Sequence, residues 1–181
     1  MPTASHLLAT LVLASAFASL DAHATLVRPF SLAELVHEAH SVVRGEVVDQ
    51  ETTWDDTRHE LYTLSWVRVD EVLSGREGPG ELVVVRQIGG VRDGLERHVV
   101  GTAKLVVGDE VVLFTRTDGT FHYLVGMAQG AFLVAPSLRV TRRGLPALSA
   151  SQAPMRPLAP DDTSWPTLRA AVLRLVAEAR P

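Results

Sequence analysis

From Ser41 to Ala135 the chain presents one strand signal after another with no helical stretch between them, and nothing else in it restricts the fold as much. "SVVRGEVVDQET" alternates around Val43, Gly45 and Val47, with the glycine marking a bulge or bend. "HELYTLSWVRVDEVL" is rich in β-branched and aromatic residues and ends at Ser74-Gly75, and "ELVVVRQI" closes at Gly89-Gly90. "EVVLFTRT", the turn Asp118-Gly119 and "FHYLVG" read as a hairpin of the Asp-Gly type, and "GAFLVA" is the last run. Short strands with turn signals and no interleaved helices predict a small antiparallel barrel or sandwich. The stretch from Gly90 to Glu110 reads as a long connection with room for another short strand.

Helices flank this β region. Ser31 followed by Glu34 forms a capping box, Phe30 and Leu35 occupy the staple positions, and Leu32, Leu35, Val36 and Ala39 make one buried stripe. Residues 136–163 carry five prolines among Ser, Ala and Thr and read as a linker. Residues 164–181 then place Trp165, Leu168, Val172, Leu175 and Val176 on one helical face, which predicts a terminal helix folded back on the β domain of residues 25–135.

The uncharged run Leu7–Leu20, 14 residues long, is too short for a membrane span and right for the apolar part of an export signal. Ala22-His23-Ala24 supplies a small-x-small cleavage pattern. Residues 1–24 are therefore expected to be removed, leaving Thr25 first in a periplasmic or secreted protein with no stable membrane insertion. The chain has no cysteine, which rules out disulfides, lipid attachment through a thioether and thiolate metal sites. Thr25–Ala135 holds 10 Lys and Arg against 17 Asp and Glu, whereas residues 136–181 hold 7 Arg against 3 acids. A body so acidic is unsuited to following a phosphate backbone, so no nucleic-acid partner is expected.

No catalytic constellation emerges. His37 and His40 lie at i, i+3 instead of the i, i+4 of a helical zinc pair, and His37 falls opposite the apolar stripe. Ser31 is engaged as a cap, and no nucleophile elbow, phosphate loop or carboxylate pair is present. Catalytic, cofactor and metal residues are accordingly expected to be none. Two segments stand out, "RQIGG" (86–90) and "GMAQGAF" (126–132), which set Gln87 and Gln129 beside glycines. They read either as a ligand-binding rim or as buried amides satisfying irregular backbone. Tyr62, Leu64 and Trp66 share one strand face, which is either a binding patch or a surface covered by the terminal helix through Trp165 and Leu168.

The order of a short helix, "SVVRGEVV", a long strand ending "VDEVLSG", then "LVVGDEVVLF" and "FHYLVG" resembles netrin-like modules. These are barrels of the oligonucleotide/oligosaccharide-binding (OB) type, and tissue inhibitors of metalloproteinases belong to them. The resemblance covers roughly residues 25–135. The chain is also similar to exported bacterial proteins carrying "RQ-x-GG" and "G-x-x-QG-x-F". The resemblance implies a mainly β protein, an OB-like barrel with an N-terminal and a C-terminal helix, acting as a non-catalytic module that binds another exported protein. In the metalloproteinase inhibitors a disulfide-braced N-terminal cysteine chelates zinc through its amine and carbonyl. Thr25 and Leu26, in "TLVRP", stand at that place here without a brace, so ordering entropy weighs against such binding. Inhibition of an exported protease through Thr25 and Leu26 is one alternative expectation. A small-ligand carrier or enzyme using Gln87 and Gln129 is another.

Overall fold

The computed structural model describes residues 29–142 and 162–179. The expected signal segment, Thr25, Leu26 and residues 143–161 of the expected linker lie outside the described residues. The protein is mainly β with one helix before the strands and one after them.

Helix α1 (Leu32–Glu38) begins as its sequence dictates. Ser31 Oγ accepts the Glu34 N–H, and the Glu34 carboxylate accepts the Ser31 N–H at 2.9 Å. Two of the donors that every helix start leaves unpaired are thereby satisfied. The helix stops just short of Ala39, the last residue of its apolar stripe, because Ala39 turns extended and His40 N–H bonds to the Thr115 carbonyl at 2.8 Å, where sheet pairing begins. Ser31→Ala is expected to lower stability by about 0.5–2 kcal/mol, read as a fall in the urea midpoint. An unchanged midpoint would show that packing alone holds α1.

The strands are β1 (Ser41–Asp55), β2 (Glu60–Ser74), β3 (Leu82–Ile88), β4 (Gly90–Arg92), β5 (Leu95–Arg97), β6 (Glu110–Thr117), β7 (His122–Leu124), β8 (Ala131–Val134), β9 (Arg139–Arg142) and β10 (Asp162–Ser164). A 3-10 turn, Met127–Gly130, precedes β8, and helix α2 (Trp165–Ala179) ends the described chain. The main sheet runs β1-β2-β3-β7-β6-β8-β9-β10, and β1 also pairs with β6 through residues 41–46. Every pairing is antiparallel except that of β3 with β7. The β4–β5 hairpin stands apart as its own two-stranded ribbon.

Burial explains why β6 reads as a continuous apolar run. Val112 and Phe114 face a cluster shared with Leu35, Val42, Phe132, Leu168 and Val172, beneath both helices. Val111 and Leu113 face a second cluster with Val43, Val47, Val67, Val83 and Val85. A strand covered on both sides loses polar alternation.

Two expectations about organisation differ from the observed fold. The proline-rich stretch 136–163 contains β9 at one end and the start of β10 at the other, so the sheet extends past Ala135. "RVTR" offers one buried residue, Val140, and three polar ones, too little alternation to read as a strand. Helix α2 does not cover the Tyr62–Trp66 face. It packs on Leu73, Val42 and α1, and Arg169 bonds Glu71 at 2.6 Å at the edge of that contact.

Candidate functional site

The inner face of the β1–β2–β3 ribbon changes character along its length. Val67, Val83 and Val85 line its buried end, and Gln50, Thr52, Thr63 and Gln87 continue the same face beyond them. Over this polar end run the β4–β5 hairpin and the connection 98–105. Together they enclose an open groove of about 660 Å³.

The double glycine of "RQIGG" makes the roof possible. Gly89 and Gly90 have φ of 97° and 141°, and a Cβ on Gly90 would meet Thr63 Oγ1 at 2.5 Å and Thr52 at 2.7 Å. The chain can thus leave β3, bend sharply and lie flat on the Thr52–Thr63 pair. Thr63 Oγ–H donates to the Gly89 carbonyl at 2.8 Å, and Arg92 donates to the Thr52 carbonyl at 3.2 Å.

Two amides hold the strap 98–105 in place. Gln87 Nε2 donates to the Ala103 carbonyl and Gln50 Nε2 to the Leu105 carbonyl, each at 3.2 Å. Ala103 and Leu105 point into the inner cluster, while Lys104 points out. The strap therefore meets the sheet through side-chain rungs instead of a backbone ladder, and a gap remains beside it. Lys104 is the one lysine among 17 cationic Lys and Arg residues, and it sits exposed on this strap.

Gln129 is not part of the groove. It is buried, and its side-chain carbonyl accepts the Phe30 N–H at 2.7 Å. Gly126, with φ of 63°, gives the Phe30 ring room, since a Cβ there would lie 2.9 Å from it. "GMAQG" thus seats the segment that leads into α1. The two glutamines, read together from sequence as one rim, have different tasks, although Ala128 of the second segment donates its N–H to the Gly101 carbonyl of the strap at 2.9 Å.

Tyr62 is buried, beneath the Arg86 guanidinium at 3.8 Å, while Leu64 and Trp66 remain half-buried on the outer face. Arg86 also bonds Asp55 at 2.5 Å and approaches the Phe121 ring at 5.2 Å, tying the tips of two hairpins together. The Arg86 hydrogen bond pulls the Asp55 pKa below its usual value. Asp118 is lowered to about 2 by the Phe121 N–H, the Tyr123 hydroxyl and the Thr120 N–H. Both carboxylates accept backbone N–H groups of their own turns, Thr57 and Arg58 at Asp55 and Thr120 and Phe121 at Asp118.

Among the described residues Thr115, His122 and Glu77 form a hydroxyl–imidazole–carboxylate series, with 3.0 Å from Thr115 Oγ1 to His122 Nδ1 and 3.9 Å from His122 Nε2 to Glu77. Thr115 is fully buried, so no substrate reaches that hydroxyl. His37 is exposed, and His40 Nδ1 accepts the Thr117 N–H. Among the described residues no group of three or more His, Asp or Glu is placed to hold a metal ion.

Sequence reasoning found Gln87 because glycines flank it. It missed Gln50, whose strand end carries no distinguishing neighbour, and it missed Lys104, for which the signal was present: a single lysine in a chain of arginines. No family model and no curated protein matches the sequence.

Proposed function

We propose that the chain is an exported, non-catalytic binding module on an OB-type barrel, and that it holds an extended segment of a partner protein in the groove beneath the strap. Support for the barrel comes from the pairing order: β1 bonds β2 on one side and β6 on the other, and the parallel β3–β7 contact links the two ends of the series. The observation that carries the function is the pair of glutamine rungs. They hold the strap off the sheet, so the groove is already formed and needs little ordering on binding. Its walls mix apolar Ile88, Val99 and Val100 with amide carbonyls and exposed backbone, a combination suited to an extended peptide.

The test uses Lys104 as a reporter. Peptides enriched from a random displayed library against the full chain should slow acylation of Lys104 by a small activated ester. Gln87→Leu, which unlatches the strap from β3, should weaken their binding by about tenfold, the equivalent of one lost hydrogen bond to a fixed wall. Enrichment of peptides that leave Lys104 reactivity unchanged and are lost on Trp66→Ser would place binding on the outer face and overturn the groove assignment.

A further inference from the structure

The chain holds its own guanidinium groups between an aromatic ring and a carboxylate. The Arg86 guanidinium lies 3.8 Å from the Tyr62 ring centre and bonds Asp55 at 2.5 Å. The Arg44 guanidinium lies 5.0 Å from the Trp165 ring centre and bonds Glu110. Stacking suits a planar, weakly hydrated cation, and the carboxylate adds a charge-assisted bond that fixes its direction.

The outer face of the β1–β2–β3 ribbon carries the same groups without a cation. Asp49 stands across from Trp66 in the β1–β2 register, and Glu51 across from Leu64, so both carboxylates share the face of the indole. Both acids are exposed. Asp49 accepts the Gln50 N–H, and neither acid is paired with a cation among the described residues. Arg68, two residues beyond Trp66 on the same face, is engaged by Glu46 at 2.5 Å, and no described cation stacks on the indole. Apolar side chains adjoin the set, because Trp66 pairs with Val84 and Arg68 with Leu82 across β2–β3. Leu64, Trp66 and Val84 are half-buried and Leu82 is exposed, and none of the four belongs to either core cluster.

We propose that this face docks an extended segment of a partner protein through one arginine, stacked on Trp66 and paired with Asp49 or Glu51. Apolar residues beside that arginine rest on Leu64, Val84 and Leu82. Charge complementarity selects the segment. The charged groups left unpaired beside the indole are carboxylates, within residues 25–135, where 17 acids outnumber 10 Lys and Arg. The groove beneath the strap lies over the inner face of the same ribbon, so the two readings stand or fall separately.

A displayed peptide library with a fixed central arginine and random neighbours, selected against the full chain, tests the face. Enriched peptides should carry valine, leucine or isoleucine beside the arginine and leave Lys104 acylation at its unliganded rate. Citrulline in place of the arginine keeps the shape and removes the charge, and should weaken binding by about tenfold. Trp66→Leu, and Asp49→Asn combined with Glu51→Gln, should each weaken it to a similar degree, with urea midpoints close to that of the parent chain. In the free chain acrylamide should quench the emission that Trp66→Phe removes. The proposal is overturned by an absence of enrichment, by citrulline peptides that bind as tightly, or by binding that survives these substitutions. An indole shielded from acrylamide would also overturn it, since the chain itself would then cover the face. Peptides that protect Lys104 and ignore Trp66→Leu would overturn it while supporting the groove.

Discussion

A chain ended at Asp161 is expected to lose cooperative unfolding altogether, showing a broad urea profile and a weakened near-ultraviolet circular dichroism signal. The truncation removes β10 and α2, and with them Trp165, Leu168, Val172 and Val176, all buried in the cluster under the helices. Each such side chain contributes about 1.5–3 kcal/mol through removal from water. Together they rival the whole margin of about 5–15 kcal/mol by which a domain of this size is stable. Their loss also uncovers Leu35, Val42, Val112 and Phe114, so two walls of one core face water at once. Leu168→Ala in the full chain is the graded control. It should keep a single sharp transition while lowering stability by about 2–5 kcal/mol, because a fully buried leucine leaves a cavity that rigid neighbours fill only in part. A truncated chain that melts sharply near the temperature of the full one would mean that the sheet is self-sufficient and that α2 is an accessory.

Gly45→Ala is expected to lower stability by about 2–4 kcal/mol, a melting-temperature fall of roughly 5–15 °C in a chain of this size. Gly45 sits at a shift in the β1–β2 register and pairs with Val69 on one side and Val111 on the other. A Cβ there would overlap the Arg68 carbonyl oxygen, and its next neighbour is the Val67 side chain at 3.0 Å. The obstacle is backbone in the middle of a doubly paired strand. Relief requires β1 and β2 to separate where Val43, Val47, Val67 and Val69 pack together. Gly45 is not at positive φ, so the cost there is steric, and Gly80→Ala, at φ of 88° in a loop where a Cβ meets nothing, gives the cost of backbone strain without a clash for comparison. A loss at residue 45 of under about 1 kcal/mol would show that β1 and β2 absorb the added Cβ without separating, and that their close approach does not fix glycine there.

Local signals in the sequence specified the elements well wherever one residue type had one job. Ser31 and Glu34 form the cap that their spacing implies, because a capping box involves four consecutive residues and little else. Gly45 marks a break in register, and the apolar face of residues 165–176 is buried. The alternating runs became strands because a half-covered sheet repeats every two residues. The elements that went unread, β9 and the start of β10, are polar strands at the sheet's far end, where one buried valine in four residues cannot make a period.

What the sequence could not decide was which residues meet. Gln87 and Gln129 look alike in the chain, each an amide beside glycines. Tertiary structure gives one to a groove wall and the other to the backbone of Phe30. Tyr62 and Trp66 alternate together, yet Arg86, 24 residues past Tyr62, buries only the first. Gln50 gains its role from Leu105, and His122 gains its enclosure from Thr115, Val85 and Glu77, which arrive on three separate segments. Periodicity and capping act over a few residues and are written in order along the chain. A groove or a buried ring is defined by side chains from distant strands, and their meeting depends on the register and curvature of the whole sheet.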